Sequence, residues 1–211
     1  MTTYAYASRN AAEMFSPPSP YSVDPDLCRE VLAEHEGRWF RDRFRDAARF
    51  TDPPGPVTAA VLEHVLAALH QVNDASWHAD TSGRATMHLA RYNAGDELAW
   101  HCDNHPRAAA MGWGPPLTHS VSASVQLSDT DDYTGGALFV ELSPDANEAS
   151  TARLASGDGP TFGTHAGLGI VPAPRERGTV VLLHGHTWHY MSPVFTGSRA
   201  SLLIHLTEAN R

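Results

Sequence analysis

From residue 85 onward the chain changes period, and that change constrains its fold more than any other feature. Upstream, Val57, Val61, Val65 and Leu69 recur at helical spacing through Val57 to Val72, after the breaker Pro53-Pro54-Gly55-Pro56, which predicts an amphipathic helix. A shorter helix is predicted after Asp24-Pro25, an N-cap followed by proline at the first helical position, with Leu27, Val31 and Leu32 as its apolar stripe and Gly37 beyond its end. Downstream come short strand-like segments bounded by turn residues, at 86 to 92, 98 to 104, 120 to 127, 136 to 142, 167 to 172, 178 to 184, 187 to 194 and 199 to 206. Such a series fits a double-stranded β-helix, the cupin-like jelly roll, whose mouth has room for a metal and small ligands.

The expected architecture is therefore mainly β. A single domain spans 1–211, with a mostly helical region at 1–84 packed outside a core at 85–206. Residues 1 to 21, with Ser16-Pro17-Pro18-Ser19-Pro20, read as an irregular leading segment. An insertion at 143–177, rich in Gly, Ala, Ser and Pro, interrupts the strand series where the mouth should lie, and is expected to be a substrate-covering lid. The plainer reading is an insertion that touches nothing.

Within the second strand segment stands His101-Cys102-Asp103. In an extended strand, residues two apart project to one face, so His101 and Asp103 point together and Cys102 points away. Adding one distant histidine gives two imidazoles and a carboxylate with open coordination positions, the facial triad of non-haem Fe(II) sites. His184, His186 and His189 compete for the third position among thirteen histidines. A metal-binding cupin-like barrel holding Zn(II) or Mn(II) and performing no oxygenation would need the same three residues.

Composition removes other chemistries. The chain has no lysine, so Schiff-base and P-loop lysine mechanisms are excluded. Its formal net charge of −9 argues against nucleic acid as a partner. The arginine-aromatic run Arg38-Trp39-Phe40-Arg41-Asp42-Arg43-Phe44-Arg45 is accordingly read as a solvated amphipathic segment covering the sheet. No apolar run reaches membrane-spanning length and no signal-peptide pattern opens the chain, from which a cytoplasmic protein is expected. Cys28 and Cys102 are its two cysteines, so a disulfide framework is not expected, and Cys102 is assigned to packing.

The text around the triad is more specific than the triad itself. Arg91-Tyr92-Asn93-Ala94-Gly95 leads into Trp100-His101-Cys102-Asp103-Asn104; later come Ser124-Val125-Gln126-Leu127-Ser128-Asp129, Asp132-Tyr133-Thr134-Gly135-Gly136-Ala137-Leu138 and Arg177-Gly178-Thr179-Val180; the end carries His189-Tyr190-Met191-Ser192-Pro193-Val194-Phe195-Thr196-Gly197-Ser198-Arg199-Ala200-Ser201-Leu202. In order and spacing this resembles the Fe(II)/2-oxoglutarate-dependent oxygenases of the prolyl-4-hydroxylase-like superfamily, including bacterial PKHD-type hydroxylases, over roughly residues 85 to 206.

The resemblance implies that His101, Asp103 and His189 hold Fe(II), His189 being the histidine that precedes Pro193, Gly197 and Arg199 at the family spacing. His184 and His186 would then be supporting or packing residues. It implies that Arg199 binds the distal carboxylate of the cosubstrate 2-oxoglutarate, with Ser201 facing the same way as a further donor; the alternative for a buried arginine is a protein carboxylate. Tyr92 is expected either at the cosubstrate or in the core. Gln126 stands where many of these hydroxylases carry a tyrosine near 2-oxoglutarate, and its amide is a candidate contact. Trp100 and Trp188 are assigned to packing, Tyr133 to a turn, and Trp113 to the substrate entrance or a loop anchor.

The activity implied is hydroxylation of an unactivated C–H bond with O2, 2-oxoglutarate being converted to succinate and CO2. Retention of Asp103, which related halogenases replace by a small residue, favours hydroxylation. A small, amino-acid-like or secondary-metabolite substrate is expected, with a peptidyl, prolyl-type hydroxylase as the alternative.

Overall fold

A computed structural model of the chain describes residues 21–42, 45–49, 54–103, 119–141, 170–185 and 187–208. The leading segment, Trp113, His186 and most of the 143–177 insertion lie outside the described residues.

Two helices form where the apolar spacing places them. Helix α1 (Pro25–Glu34) starts at Asp24, whose carboxylate accepts the Asp26 N–H at 2.7 Å, and it buries Cys28 and Val31. Helix α2 (Pro56–Val72) has Gly55 at its N-cap, which offers no side chain. Its orphan donors are met from the other helix: Glu34 accepts the N–H groups of Val57 and Thr58 at 3.0 Å each, and the Thr58 hydroxyl at 2.6 Å. A π-helical turn, Asn73–Trp77, extends α2 beyond the expected end and buries Trp77. Among the described residues no helix is long and apolar enough to cross a membrane.

The strands make two antiparallel sheets. The larger contains β1 (Phe40–Arg41), β2 (Asp46–Arg49), β3 (Ala85–Asn93), β5 (His119–Gln126), β9 (Val180–His184) and β11 (Val194–Thr207), in the order β1-β2-β3-β11-β5-β9, with β6 (Tyr133–Gly135) paired to the start of β11. The smaller contains β4 (Leu98–His101), β7 (Leu138–Glu141), β8 (Ile170–Pro172) and β10 (His189–Met191), in the order β4-β10-β7-β8. The expected jelly roll with helices on its outside is the observed arrangement.

Several boundaries differ from the sequence pattern. The segment read as solvated, Arg38 to Arg45, contributes β1 and leads into β2, an edge hairpin whose Ala47 pairs with Ala90 of β3. The nominally helical N-terminal third thus supplies two strands. The final two expected strands are divided otherwise: β10 is short, and β11 runs unbroken from Val194 through Arg199. Gly197 makes that continuity possible, since it has φ +72° and a Cβ there would lie 2.0 Å from the Asp132 carbonyl oxygen. The end of the insertion is built into the structure as β8, and Arg177 beyond it donates to the Leu127 carbonyl at 2.9 Å.

Strand parity separates two environments. Leu89, Val125, Leu202 and Ile204 share one core with Val61, Val65 and Leu69 of α2. The alternate positions face inward, and the register sets them in rows: Tyr92 beside Arg199; Ala90, Ser201 and Gln126; His88, Leu203 and Ser124; Thr86, His205 and Ser122. The outward face is apolar because the helices cover it. The inward face carries the polar side chains, and a smaller apolar cluster joins its Ala90 and Tyr92 to Tyr133, Met191 and Val194.

Candidate metal centre

Register between β4 and β10 builds the site. His189 pairs directly with His101, and their ring centroids are 4.1 Å apart. Asp103 lies just past the end of β4, in a turn rather than in the strand expected over 98 to 104. It still returns to the histidine side, and ligand atoms of His101, Asp103 and His189 all lie within 4.8 Å of one another.

Backbone carbonyls set both imidazoles. His101 Nδ1 lies 2.8 Å from the Ala99 carbonyl oxygen and His189 Nδ1 lies 3.0 Å from that of Thr187. A carbonyl only accepts, so each ring carries a proton on Nδ1 and turns its Nε2 toward Asp103. Those Nε2 atoms stand 3.9 and 3.8 Å from Asp103 Oδ1, beyond hydrogen-bonding reach. Two imidazole nitrogens and a carboxylate oxygen disposed around a common point suit a divalent metal.

Burial, reinforced by His189 and opposed by Asp103, pushes the His101 imidazole down to about 3, so it is neutral and able to ligate. Burial alone would push the Asp103 carboxyl up; His189, His205 and His101 together hold it well below the usual carboxylate range. Its second oxygen, Oδ2, accepts the Ser122 hydroxyl at 2.6 Å and lies 3.6 Å from His205 Nδ1. Cys102, also past the end of β4, is wholly buried and outside the ligand group. His184 is on the helix side, edge-on to Trp77 at 6.1 Å. Trp100 stacks on Tyr190 at 5.5 Å, turned away from the ligands, and Trp188 is buried.

A second polar feature adjoins the triad. Arg199 is 6% exposed, and among the described residues no carboxylate pairs with it. Its Nη1 donates to Met191 Sδ at 3.3 Å, a weak acceptor. Burial lowers its pKa from the ordinary arginine value, and the phenols of Tyr133 and Tyr92 act against that shift. Two residues along β11, the Ser201 hydroxyl is buried without a hydrogen-bond partner, opposite the small Ala90. A guanidinium without a carboxylate among the described residues and an unsatisfied hydroxyl thus lie two residues apart on one face of β11.

The remaining candidates are resolved by their contacts. Tyr92 is buried beside Arg199, and its hydroxyl accepts from Arg45. Gln126 faces inward, but its amide donates to the Ser128 carbonyl at 3.1 Å and to the Tyr133 hydroxyl at 3.2 Å. Its contact is therefore with Tyr133, which the sequence reading assigned to a turn and which is a buried neighbour of Arg199. Sequence reasoning also missed Ser122, His88, His205 and Arg45. Parity along β11 could have found His205, six residues and so three alternations beyond Arg199. Nothing local marks Arg45, whose place depends on the edge hairpin.

The family model of phytanoyl-CoA dioxygenase (PhyH) matches residues 22–201. A PKHD-type hydroxylase from Xanthomonas campestris is 30% identical over 112 residues, 53% of this chain and 39% of that protein. This chain thus spans about two-fifths of the length of the curated relatives it matches. The crystal structure of a Pseudomonas putida prolyl-4-hydroxylase is similar with a TM-score of 0.63 at 16% identity, covering 90% of each chain. HygX from Streptomyces hygroscopicus, solved with nickel and 2-oxoglutarate bound, is similar with a TM-score of 0.60 at 14% identity, covering 90% of this chain and 81% of that one. At these identities the two structures speak for the fold.

Proposed function

The chain belongs to the phytanoyl-CoA dioxygenase family, a family of Fe(II)/2-oxoglutarate oxygenases, and from that premise we propose that it hydroxylates an unactivated C–H bond of a small, amino-acid-like or secondary-metabolite substrate. Fe(II), 2-oxoglutarate and O2 supply the oxidation when bound: one oxygen atom goes to succinate as CO2 leaves, and the other enters the C–H bond.

His101, Asp103 and His189 would hold the metal, with the Ala99 and Thr187 carbonyls keeping both Nε2 atoms directed at it. The Ser122 hydroxyl fixes the Asp103 carboxylate. Arg199 binds the distal carboxylate of 2-oxoglutarate, and Ser201, whose hydroxyl is otherwise unsatisfied, donates to it. Gln126 holds the Tyr133 hydroxyl toward the same end. Closing this end with buried phenols excludes water from the charged pair.

The single observation that carries this reading is Arg199, a buried cation with no carboxylate partner among the described residues. Leaving it so costs several kcal/mol unless an anion joins it, of order 3 to 5 kcal/mol for a broken buried pair. A metal-binding barrel without a cosubstrate has no use for such a residue.

The test is succinate formation by the chain supplied with Fe(II), 2-oxoglutarate and O2. Succinate with equimolar CO2 is expected, and its absence with metal bound would favour a non-oxygenase metal-binding barrel. The same assay with free amino acids and with peptides, read as a gain of one oxygen by mass, separates the small-molecule reading from a peptidyl, prolyl-type hydroxylase.

A further inference from the structure

A second, half-buried cation faces the same interior. Arg45 precedes β2, its side chain is 14% exposed, and β3 separates it from Arg199. Its Nη1 donates to the Tyr92 hydroxyl and its Nη2 bonds His88 Nε2 at 3.0 Å. Since a guanidinium only donates, His88 accepts through Nε2 and is neutral. Arg45 Nε is buried with no hydrogen-bond partner. Among the described residues one carboxylate, Asp42 Oδ2, comes as close as 4.0 Å, and its other oxygen accepts the Arg45 backbone N–H at 2.8 Å to close the hairpin turn. Two acceptors therefore occupy two of five donors, and among the described residues the nearest counter-ion is Asp42 at the 4.0 Å limit of an ion pair.

Arg45 is not isolated from the metal centre. His88 stacks on His205 with ring centroids 5.7 Å apart and planes 14° from parallel, and His205 Nδ1 is 3.6 Å from Asp103 Oδ2. His88 and His205 thus line the interior from Arg45 to the far side of the metal-ligand carboxylate. The Tyr92 ring, whose centroid is 5.2 Å from Arg45 Cζ, lies on the same strand face, in the row leading to Arg199. Arg45 and Arg199 are consequently set apart, one on each side of Tyr92, and each suits its own anion.

We propose that the primary substrate carries a carboxylate and that Arg45 anchors it, with His88 and His205 lining the path from that anchor to the metal. The proposal rests on the oxygenase reading above. A planar guanidinium matches a carboxylate through paired hydrogen bonds, and a single permanent charge calls for a singly charged group. Anchoring one end of a small molecule sets which of its C–H bonds meets the metal, an orientation effect worth orders of magnitude in rate. A neutral substrate would leave Asp42, at 4.0 Å, as the nearest anion to this guanidinium among the described residues.

The experiment compares matched acids and amides. The full chain with Fe(II) and 2-oxoglutarate is supplied with the protein amino acids, with their C-terminal amides, and with peptides blocked at both ends that contain Asp or Glu. Stimulated succinate formation is measured above the substrate-free rate, for the native chain, Arg45→Gln and Arg45→Lys. At least one carboxylate-bearing compound should stimulate, and its amide should require at least about tenfold more for the same effect. Arg45→Gln should bring that acid-to-amide ratio close to one, and Arg45→Lys should restore part of it. Stimulation by blocked Asp or Glu peptides and not by free amino acids would assign the carboxylate to a side chain. A ratio unchanged in Arg45→Gln, an amide as effective as its acid, or no stimulating carboxylate while substrate-free succinate still forms, each overturns the proposal. An Arg45→Gln variant that weakens only 2-oxoglutarate also overturns it, by moving Arg45 to the cosubstrate. Absence of succinate under every condition would instead remove the oxygenase reading, and this proposal with it.

Discussion

His101 and His189 stand directly opposite one another on adjacent antiparallel strands, their ring centroids 4.1 Å apart and each held by a carbonyl two residues upstream. That pairing brings together two residues distant in sequence, two of the three in the candidate metal site. Replacing His101, Asp103 or His189 by Ala should each weaken metal binding by more than about a hundredfold, since losing only the supporting partner of a ligand costs roughly 10–100-fold. The fold should persist, because neither the core beneath α2 nor the apolar cluster around Ala90 and Tyr133 includes these residues. Metal titration alongside circular dichroism checks both, and full occupancy in His189→Ala would move the role to His184 or His186.

Ser122→Ala isolates the support of the carboxylate. Its hydroxyl donates to Asp103 Oδ2 at 2.6 Å, and its loss should weaken the metal by roughly 10–100-fold without unfolding the chain. Affinity equal to the native protein by calorimetry would show that Asp103 is oriented by other means.

Arg199→Ala should raise the 2-oxoglutarate constant by more than about tenfold, as charge-assisted hydrogen bonds contribute roughly 1.5–3 kcal/mol each. Arg199→Met should lose the cosubstrate equally while leaving the cosubstrate-free protein at least as stable as the native chain, since it removes an uncompensated buried charge. Thermal melting with and without 2-oxoglutarate separates the two effects: the ligand should raise the native Tm and leave that of Arg199→Met unchanged.

Glu34 couples the two helices and should make their stability depend on acid. Burial pushes its carboxyl up, but the Thr58 hydroxyl and the Val57 and Thr58 N–H groups outweigh this and hold it below its ordinary value of 4.5. A carboxyl lowered in the folded state stabilises above its unfolded value and loses that contribution as pH falls through the folded value. The native chain should therefore exceed Glu34→Gln by about 1 kcal/mol at neutral pH, the usual size of a helix cap, and the gap should narrow below pH 4.5. Denaturation curves at several pH values test the slope; a constant gap would mean the carboxylate charge is not involved.

Gly197→Ala should destabilise by at least about 1–3 kcal/mol, because the position has φ +72° and the new Cβ would meet the Asp132 carbonyl. The same change at Gly37, φ +76° with nothing within 4 Å, should cost less, being strained but not obstructed. Equal midpoints for the two variants would remove the argument that Gly197 permits the unbroken β11.

Local chemistry made much of this protein legible from its residues alone. Val57, Val61, Val65 and Leu69 announce α2 because four-residue spacing has only one helical face to fill, and the short apolar segments after residue 85 announce a β core. Parity along β11 put Arg199 and Ser201 on one face, a consequence of the pleat that no packing detail alters. What only the tertiary structure decided is which faces meet. Arg45 reads as a solvated cation until β2 pairs with β3 and turns it inward, and Tyr133 reads as a turn residue until Gln126 and Arg175 gather at its hydroxyl. Asp103 lies past the end of its strand, so its approach to His189 depends on the turn and on Ser122, nineteen residues away, rather than on strand alternation. Strand pairing is non-local and its register is set by the burial of whole faces at once, so sequence spacing specifies what each strand presents and the sheets decide what it is presented to.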